Sequence, residues 1–275
     1  MKQWRAIAWQ DIKESIRAWW FFIYALIFGG TVALLFILGV TESQILGFMG
    51  LGRLLLTFIQ LCVAILPVFV LVSTVRSIVG DRESHVLEYW LSMPIAFGDY
   101  YWGKFIGRFL VIFLPVFIAL LGASAWGVYV DITVPWHLFW LYSALLVAIC
   151  GCFLGFGFLI STLTRHQEVA LSVSLVLWLV LLLFMDLILI GVMLQERASP
   201  ELVVSIALAN PLQSFRTAAM VLFDPRLAVL GPTADIILDF FGRVGFLIYA
   251  LTYPLVLGLA SAYTGFLIFK RGDQI

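Results

Sequence analysis

The chain has 275 residues, 63% hydrophobic and only 12% charged, where soluble domains run near half apolar and a quarter charged. A globule of this size cannot hide such a surplus, because it still leaves a large surface to water, so lipid is the solvent that fits. Sixteen basic and sixteen acidic residues cancel, which excludes a global field aimed at nucleic acid.

Residues 2–17 place Trp4, Ile7, Ala8, Ile12 and Ile16 at helical spacing, with Lys2, Arg5, Lys13 and Arg17 mostly elsewhere. The pattern reads either as an amphipathic helix in the membrane interface or as a plain basic flank to the next segment. A bilayer core takes about 20 mostly apolar residues per helix, and six segments meet that length: Trp19–Leu38, Leu54–Val75, Phe105–Val130, Phe139–Leu163, Leu171–Leu194 and Phe246–Phe269. The first is too long for a signal-peptide core and lacks a small-residue cleavage pattern, so it is expected to be retained.

Lys and Arg in short loops set orientation. With the N-terminus inside, the inner face holds Lys2, Arg5, Lys13, Arg17, Arg76, Arg82, Lys104, Arg108, Arg165, Lys270 and Arg271, and the outer short loops hold only Arg53. Both termini are therefore expected in the cytoplasm.

Two connections exceed what a bundle needs. The inner one, Arg76 to Lys104, carries Val86, Leu87, Trp90 and Leu91 on one face of a short helix, which Pro94 ends. Such a helix suits a partner's groove or the membrane surface. The outer one, Gln195 to Arg243, has turn signals at Asn210-Pro211, Asp224-Pro225 and Gly231-Pro232. Its apolar pieces Val203–Ala209 and Phe215–Phe223 are too short to span, and it is the natural platform for an extracytoplasmic partner.

Chemistry of the chain's own is sparse. Gly47-x-x-x-x-Gly52-Arg53 lacks the Lys and Ser/Thr of a phosphate loop, and no zinc-protease, nucleophile-elbow or paired-aspartate motif occurs. Cys150 and Cys152 would point about 200° apart on a helix, against a shared metal. Asp186 is the single acid inside an expected span and so a functional candidate facing the bundle. Met185 and Met193 lie on or beside its stripe, and thioether sulfur suits Cu(I), so this trio is a candidate intramembrane path. Space-filling methionines and a bundle hydrogen bond are the plainer alternative. Gly103-x-x-x-Gly107, Gly151-x-x-x-Gly155 and Ser261-x-x-x-Gly265 are small-residue ladders at helix-packing spacing.

The stretch Arg82-Glu83-Ser84-His85-Val86-Leu87-Glu88-Tyr89-Trp90-Leu91-Ser92-Met93-Pro94, followed by Gly103-Lys104-Phe105, resembles the coupling-helix signature of type-2 ABC exporter permeases. It keeps Leu87, Glu88, Ser92, Pro94, Gly103 and Lys104 but has His85-Val86 where Gly-Thr is usual. The run Asn210-Pro211-Leu212-Gln213-Ser214-Phe215-Arg216 resembles the Asn-Pro motif that precedes the last span in one branch, and by overall likeness the chain resembles the branch that serves nitrous oxide reductase maturation.

The resemblance implies one domain over 1–275 in a bacterial inner membrane, an all-α protein of six transmembrane helices. It adds an N-terminal interfacial helix (1–17), a cytoplasmic coupling loop (76–104) and short periplasmic helices (195–243). It implies that Glu83, Val86, Leu87, Glu88, Trp90, Leu91 and Pro94 couple to an ATPase, and that Asn210, Pro211, Phe215 and Arg216 form the periplasmic platform. The expected partners are a second copy of the chain, a cytoplasmic NosF-like ATPase dimer that binds ATP and Mg, a periplasmic NosD-like protein and the bilayer. No catalytic residue and no cofactor of this chain's own is implied, and copper enters only through the complex. Force transmission for copper-site maturation is the leading expectation, ahead of direct export of copper or a sulfur species. An intramembrane enzyme would need paired catalytic residues, and a self-sufficient carrier would show an internal repeat.

Overall fold

A computed structural model of the chain describes residues 3–19, 21–31, 33, 48–93, 95–129, 136–184, 200–223 and 232–272. These residues are helical almost throughout. The elements are α1 (Gln3–Arg17), α2 (Phe21–Thr31), α3 (Phe48–Glu83), α4 (Val86–Ser92), α5 (Phe97–Tyr129), α6 (Trp136–Leu163), α7 (Gln167–Leu179), α8 (Pro200–Ala209), α9 (Pro211–Phe223) and α10 (Pro232–Gly272). A π turn, Val180–Phe184, continues α7.

The expectation of six spans is corrected. Among the described residues four helices are long and apolar enough to cross a membrane: Ile59–Glu83, Phe97–Gly122, Trp136–Leu163 and Asp239–Arg271. The expected spans Trp19–Leu38 and Leu171–Leu194 correspond to the shorter helices Phe21–Thr31 and Gln167–Leu183. At about 1.5 Å per residue these reach roughly 16 and 26 Å, against a hydrocarbon core of about 30 Å. An apolar run satisfies lipid, but it does not dictate how far regular helix extends. The C-terminal parts of both runs lie outside the described residues.

The bundle is built around α6. Its central residues are buried on most sides, and its most extensive partner is α10. The backbones meet where Gly151 and Gly155 face Gly258: a Cβ on Gly258 would fall 2.5 Å from the Gly151 carbonyl oxygen and 2.6 Å from Cys152 Cα. Small residues permit this approach, and packing is what joins helices in lipid. Gly265 likewise sits against Leu159 and the Tyr101 hydroxyl. On its other side α6 meets α3, where Ser161 Oγ accepts the N–H groups of Ile78 and Val79, each at 3.0 Å. The backbone of Cys152 lies beside Gly258, and Cys62, Cys150 and Cys152 are all free and buried.

The third ladder receives α1. A Cβ on Gly103 would stand 2.8 Å from the Trp4 carbonyl oxygen, and one on Gly107 would stand 2.9 Å from that of Ala8. Thus α1 buries Ile7, Ala8, Asp11 and Ser15 against α5 while its other sides stay exposed. Residues 3–17 thus form a helix docked on α5. A Gly107→Val substitution is expected to force α1 off α5 at an overpacking cost of roughly 1–3 kcal/mol. Limited proteolysis within α1 reads this directly, and wild-type resistance in the variant contradicts it.

Candidate functional site

One end of the bundle carries the loop with the coupling signature. After α3 ends at Glu83, the chain turns through Ser84 and His85 and enters α4. His85 has φ 56° and ψ 12°, the left-handed region that glycine enters without steric cost. This is where the family pattern carries glycine. Histidine is one of the few other residue types enriched there, so the departure from the pattern keeps the turn.

The short helix α4 is anchored by Leu87, which is buried, and by Trp90, which packs against the core. Val86, Glu88 and Tyr89 point outward, Tyr89 at 63% exposure. His85 Nδ1 lies 3.3 Å from Glu88 Oε1 on the same outer surface. The expected face of Val86, Leu87, Trp90 and Leu91 is therefore divided: Leu87 and Trp90 hold the helix, and Val86 is presented. Tyr89, which the sequence reading passed over, is the largest exposed side chain of α4. Pro94 lies outside the described residues, as does the Leu91 side chain.

Glu83 turns away from α4. Its Oε2 accepts the backbone N–H of Gln167 at 3.3 Å, capping the start of α7, where a negative charge meets unpaired N–H groups. Its Oε1 lies 3.8 Å from His166 Nδ1. Beside it Arg82 Nη1 donates to the Thr164 carbonyl at 3.2 Å. The end of α3 is thereby tied to the turn between α6 and α7.

A polar network lies one turn deeper. Lys104 is buried, and its Nζ bonds the Asp81 carboxylate and donates to the Ser77 carbonyl at 2.8 Å. Tyr100 Oη donates to the same Asp81 oxygen at 2.6 Å. Lys104 of the motif thus ties α5 to the acidic end of α3, while Gly103 beside it receives α1. One turn further along α5, Arg108 Nε lies 3.2 Å from Asp11 Oδ2, an ion pair without hydrogen-bond alignment. Burial raises the Asp11 carboxyl above its ordinary value, and the charges of Arg108 and Lys104 pull it only part of the way back. The one signal available in the sequence was basic residues at helical spacing in an apolar run, which need buried partners.

The opposite end holds α8 and α9. Asn210 is fully buried between them. Its Oδ1 accepts the N–H of Leu212 at 3.0 Å, and its Nδ2 donates to the Leu181 carbonyl in the π turn at 2.7 Å. Pro211 follows at the first helical position, where a missing N–H costs nothing. Ser214 Oγ and Tyr249 Oη donate to the Leu208 carbonyl at 2.9 and 3.0 Å, and Tyr253 Oη donates to that of Ala209. Of the expected platform, Asn210, Pro211 and Phe215 are buried, with Phe215 against Tyr142 at a ring separation of 6.0 Å. Arg216 is half-buried and lines a cavity of about 220 Å³ with Gln60, Gln213 and leucines of the π turn. Met185, Asp186 and Met193 lie outside the described residues. Among the described residues no three His, Cys, Asp or Glu gather as metal ligands.

A family model described as ABC-2 family transporter protein matches residues 5–274. A "Probable ABC transporter permease protein NosY" of Stutzerimonas stutzeri is 25% identical over 231 residues, covering 82% of this chain and 84% of that protein. The protein of the same description from Pseudomonas aeruginosa is 25% identical over 232 residues, covering 81% and 83%.

Two outcomes are expected. Asn210→Leu removes a helix cap and strands the Leu181 carbonyl, at about 1–3 kcal/mol for a buried unsatisfied group. A thermal-unfolding midpoint unchanged from wild type contradicts that role. For Asp11, a carboxyl that binds its proton more tightly when folded adds stability as pH falls through its raised value, with the gain complete below about 3.9. Wild-type stability relative to Asp11→Asn therefore rises on acidification from neutral pH, and a flat difference contradicts it.

Proposed function

This chain belongs to the ABC-2 family of transporter proteins, and on that premise we propose that it is the permease through which a separate ATPase does work across a bacterial inner membrane. In this reading ATP and Mg bind the partner ATPase, and the chain supplies the membrane path of the force. The observation that carries the reading is α4: a seven-residue helix whose inner side is anchored by Leu87 and Trp90 and whose outer side offers Val86, Glu88 and Tyr89. An exposed aromatic beside a carboxylate, on a helix fixed at its base, suits a partner's groove.

The connections around α4 supply a route. A push on α4 acts on the end of α3, which is bonded to the α6–α7 turn through Arg82 and Glu83. A tilt of α7 then moves the π turn, where the Leu181 carbonyl is held by Asn210 at the head of α9. The joint near the ATPase and the α8–α9 hairpin at the far end are thus linked through α7 and its π turn. Coupling of this kind requires that ATPase binding favour one of two arrangements.

The finer reading places both termini in the cytoplasm, on the Lys and Arg distribution. It pairs the chain with a second copy and a NosF-like ATPase dimer, and sets a NosD-like periplasmic protein over the α8–α9 end. The task is then maturation of the copper centre of nitrous oxide reductase. Two relatives described as NosY permeases, matched over most of both chains, support this choice of system.

The test is co-purification of the ATPase with Tyr89→Ala and Glu88→Ala variants, alongside the copper-centre absorbance of the reductase. Loss of an aromatic anchor at an interface costs on the order of 2 kcal/mol, more than a tenfold weakening. Undiminished assembly and maturation in both variants would sink the coupling role.

A further inference from the structure

We propose that α1 is a binding surface for anionic phospholipid headgroups, with Arg5 and Lys13 as the phosphate-facing cations. The helix has three distinct sides. Ile7, Ala8, Asp11 and Ser15 are buried against α5. A second side exposes Trp9 at 59% and Ile16 at 40%, and it runs on through Trp19 at 78% into the exposed Phe22 and Leu26 of α2. The third side is polar, with Gln10 Nε2 donating to Glu14 Oε1 at 3.1 Å. Arg5 and Lys13 are exposed and, at about 100° per residue, flank the strip of Trp9 and Ile16 on its two edges.

Each cation is held over an indole. Arg5 Cζ lies 5.4 Å from the Trp4 ring centre, and Lys13 Nζ lies 5.5 Å from that of Trp9. Tryptophan settles at the headgroup level of a membrane, and long basic side chains beside it reach the same level. The two charges are thus set at the depth of lipid phosphate. The opposing charges nearby do not cancel them there: Asp11 faces inward to Arg108, and Glu14 lies on the polar side. Continuity of the apolar side with the exposed face of α2 makes the occupant a bilayer. The paired cations at its edge select anionic headgroups, since an anionic surface attracts each nearby Lys or Arg.

This inference stands apart from the coupling role, and its test reads lipid rather than ATPase. The full-length chain is reconstituted in nanodiscs of phosphatidylcholine with a minor fraction of spin-labelled phosphatidylglycerol, and the protein-bound fraction is measured. Wild type is expected to enrich phosphatidylglycerol over labelled phosphatidylcholine, and Arg5→Gln/Lys13→Gln to lower that preference roughly tenfold. The charge-preserving Arg5→Lys/Lys13→Arg variant is expected to retain it, and salt near 0.5 M to weaken it in wild type. Equal preference in wild type and the Gln variant overturns the proposal. So does loss of preference in the charge-preserving variant, or absence of any preference in wild type.

Discussion

Lipid offers no hydrogen bonds, so each backbone group that leaves a helix ladder inside the membrane must find its partner within the protein. That constraint organises this chain more than any single contact. The break between α8 and α9 is closed by Asn210, Ser214, Tyr249 and Tyr253. The carbonyl exposed at the π turn is taken by the Asn210 amide. Arg243 donates to the Val221 carbonyl at 3.1 Å near the last turn of α9. An irregular segment persists among apolar helices because a few polar side chains, from the α8–α9 break, α9 and α10, meet at its ends.

The same economy appears at the other end, but with charge. Asp81, Lys104 and Tyr100 form one network, Asp11 and Arg108 another, and Glu83 caps α7. Each joins two helices distant in sequence. A buried charge is tolerated when its partner is fixed, and removing one member leaves the other uncompensated. The loop carrying α4 is therefore rooted in four helices, and Leu87 and Trp90 hold α4 itself against the core. A short helix so held can pass on a displacement instead of absorbing it.

Much of this was legible in the residues. Apolar runs located the four long helices, because the lipid requirement is written in composition. The three small-residue ladders proved to be contacts within the chain, and the Asn-Pro dipeptide marked a true helix break. Among the described residues two of the six expected spans match only shorter helices, because an apolar run does not fix the length of regular helix. The expected face of α4 is divided, with Leu87 and Trp90 inward and Val86 outward. In seven residues the positions Val86, Leu87, Trp90 and Leu91 fit one stripe, yet only tertiary packing decides which side of so short a helix is inward. Tyr89 was passed over because its place between Glu88 and Trp90 carries no mark of which way it faces. The pairing of Asp11 with Arg108 links positions nearly a hundred residues apart, a relation that no local pattern encodes.

Within α10 the backbone breaks at Gly242, with φ 66° and ψ 164°, in a region open essentially to glycine alone. Space is not the issue, since a Cβ there would meet nothing within 4 Å. Gly122 is equally uncrowded but has no such dihedral. Two glycines that look alike by exposure thus differ in evolutionary freedom. At Gly122 mutational drift meets little resistance, whereas at Gly242 the genetic code offers one acceptable letter on an open surface.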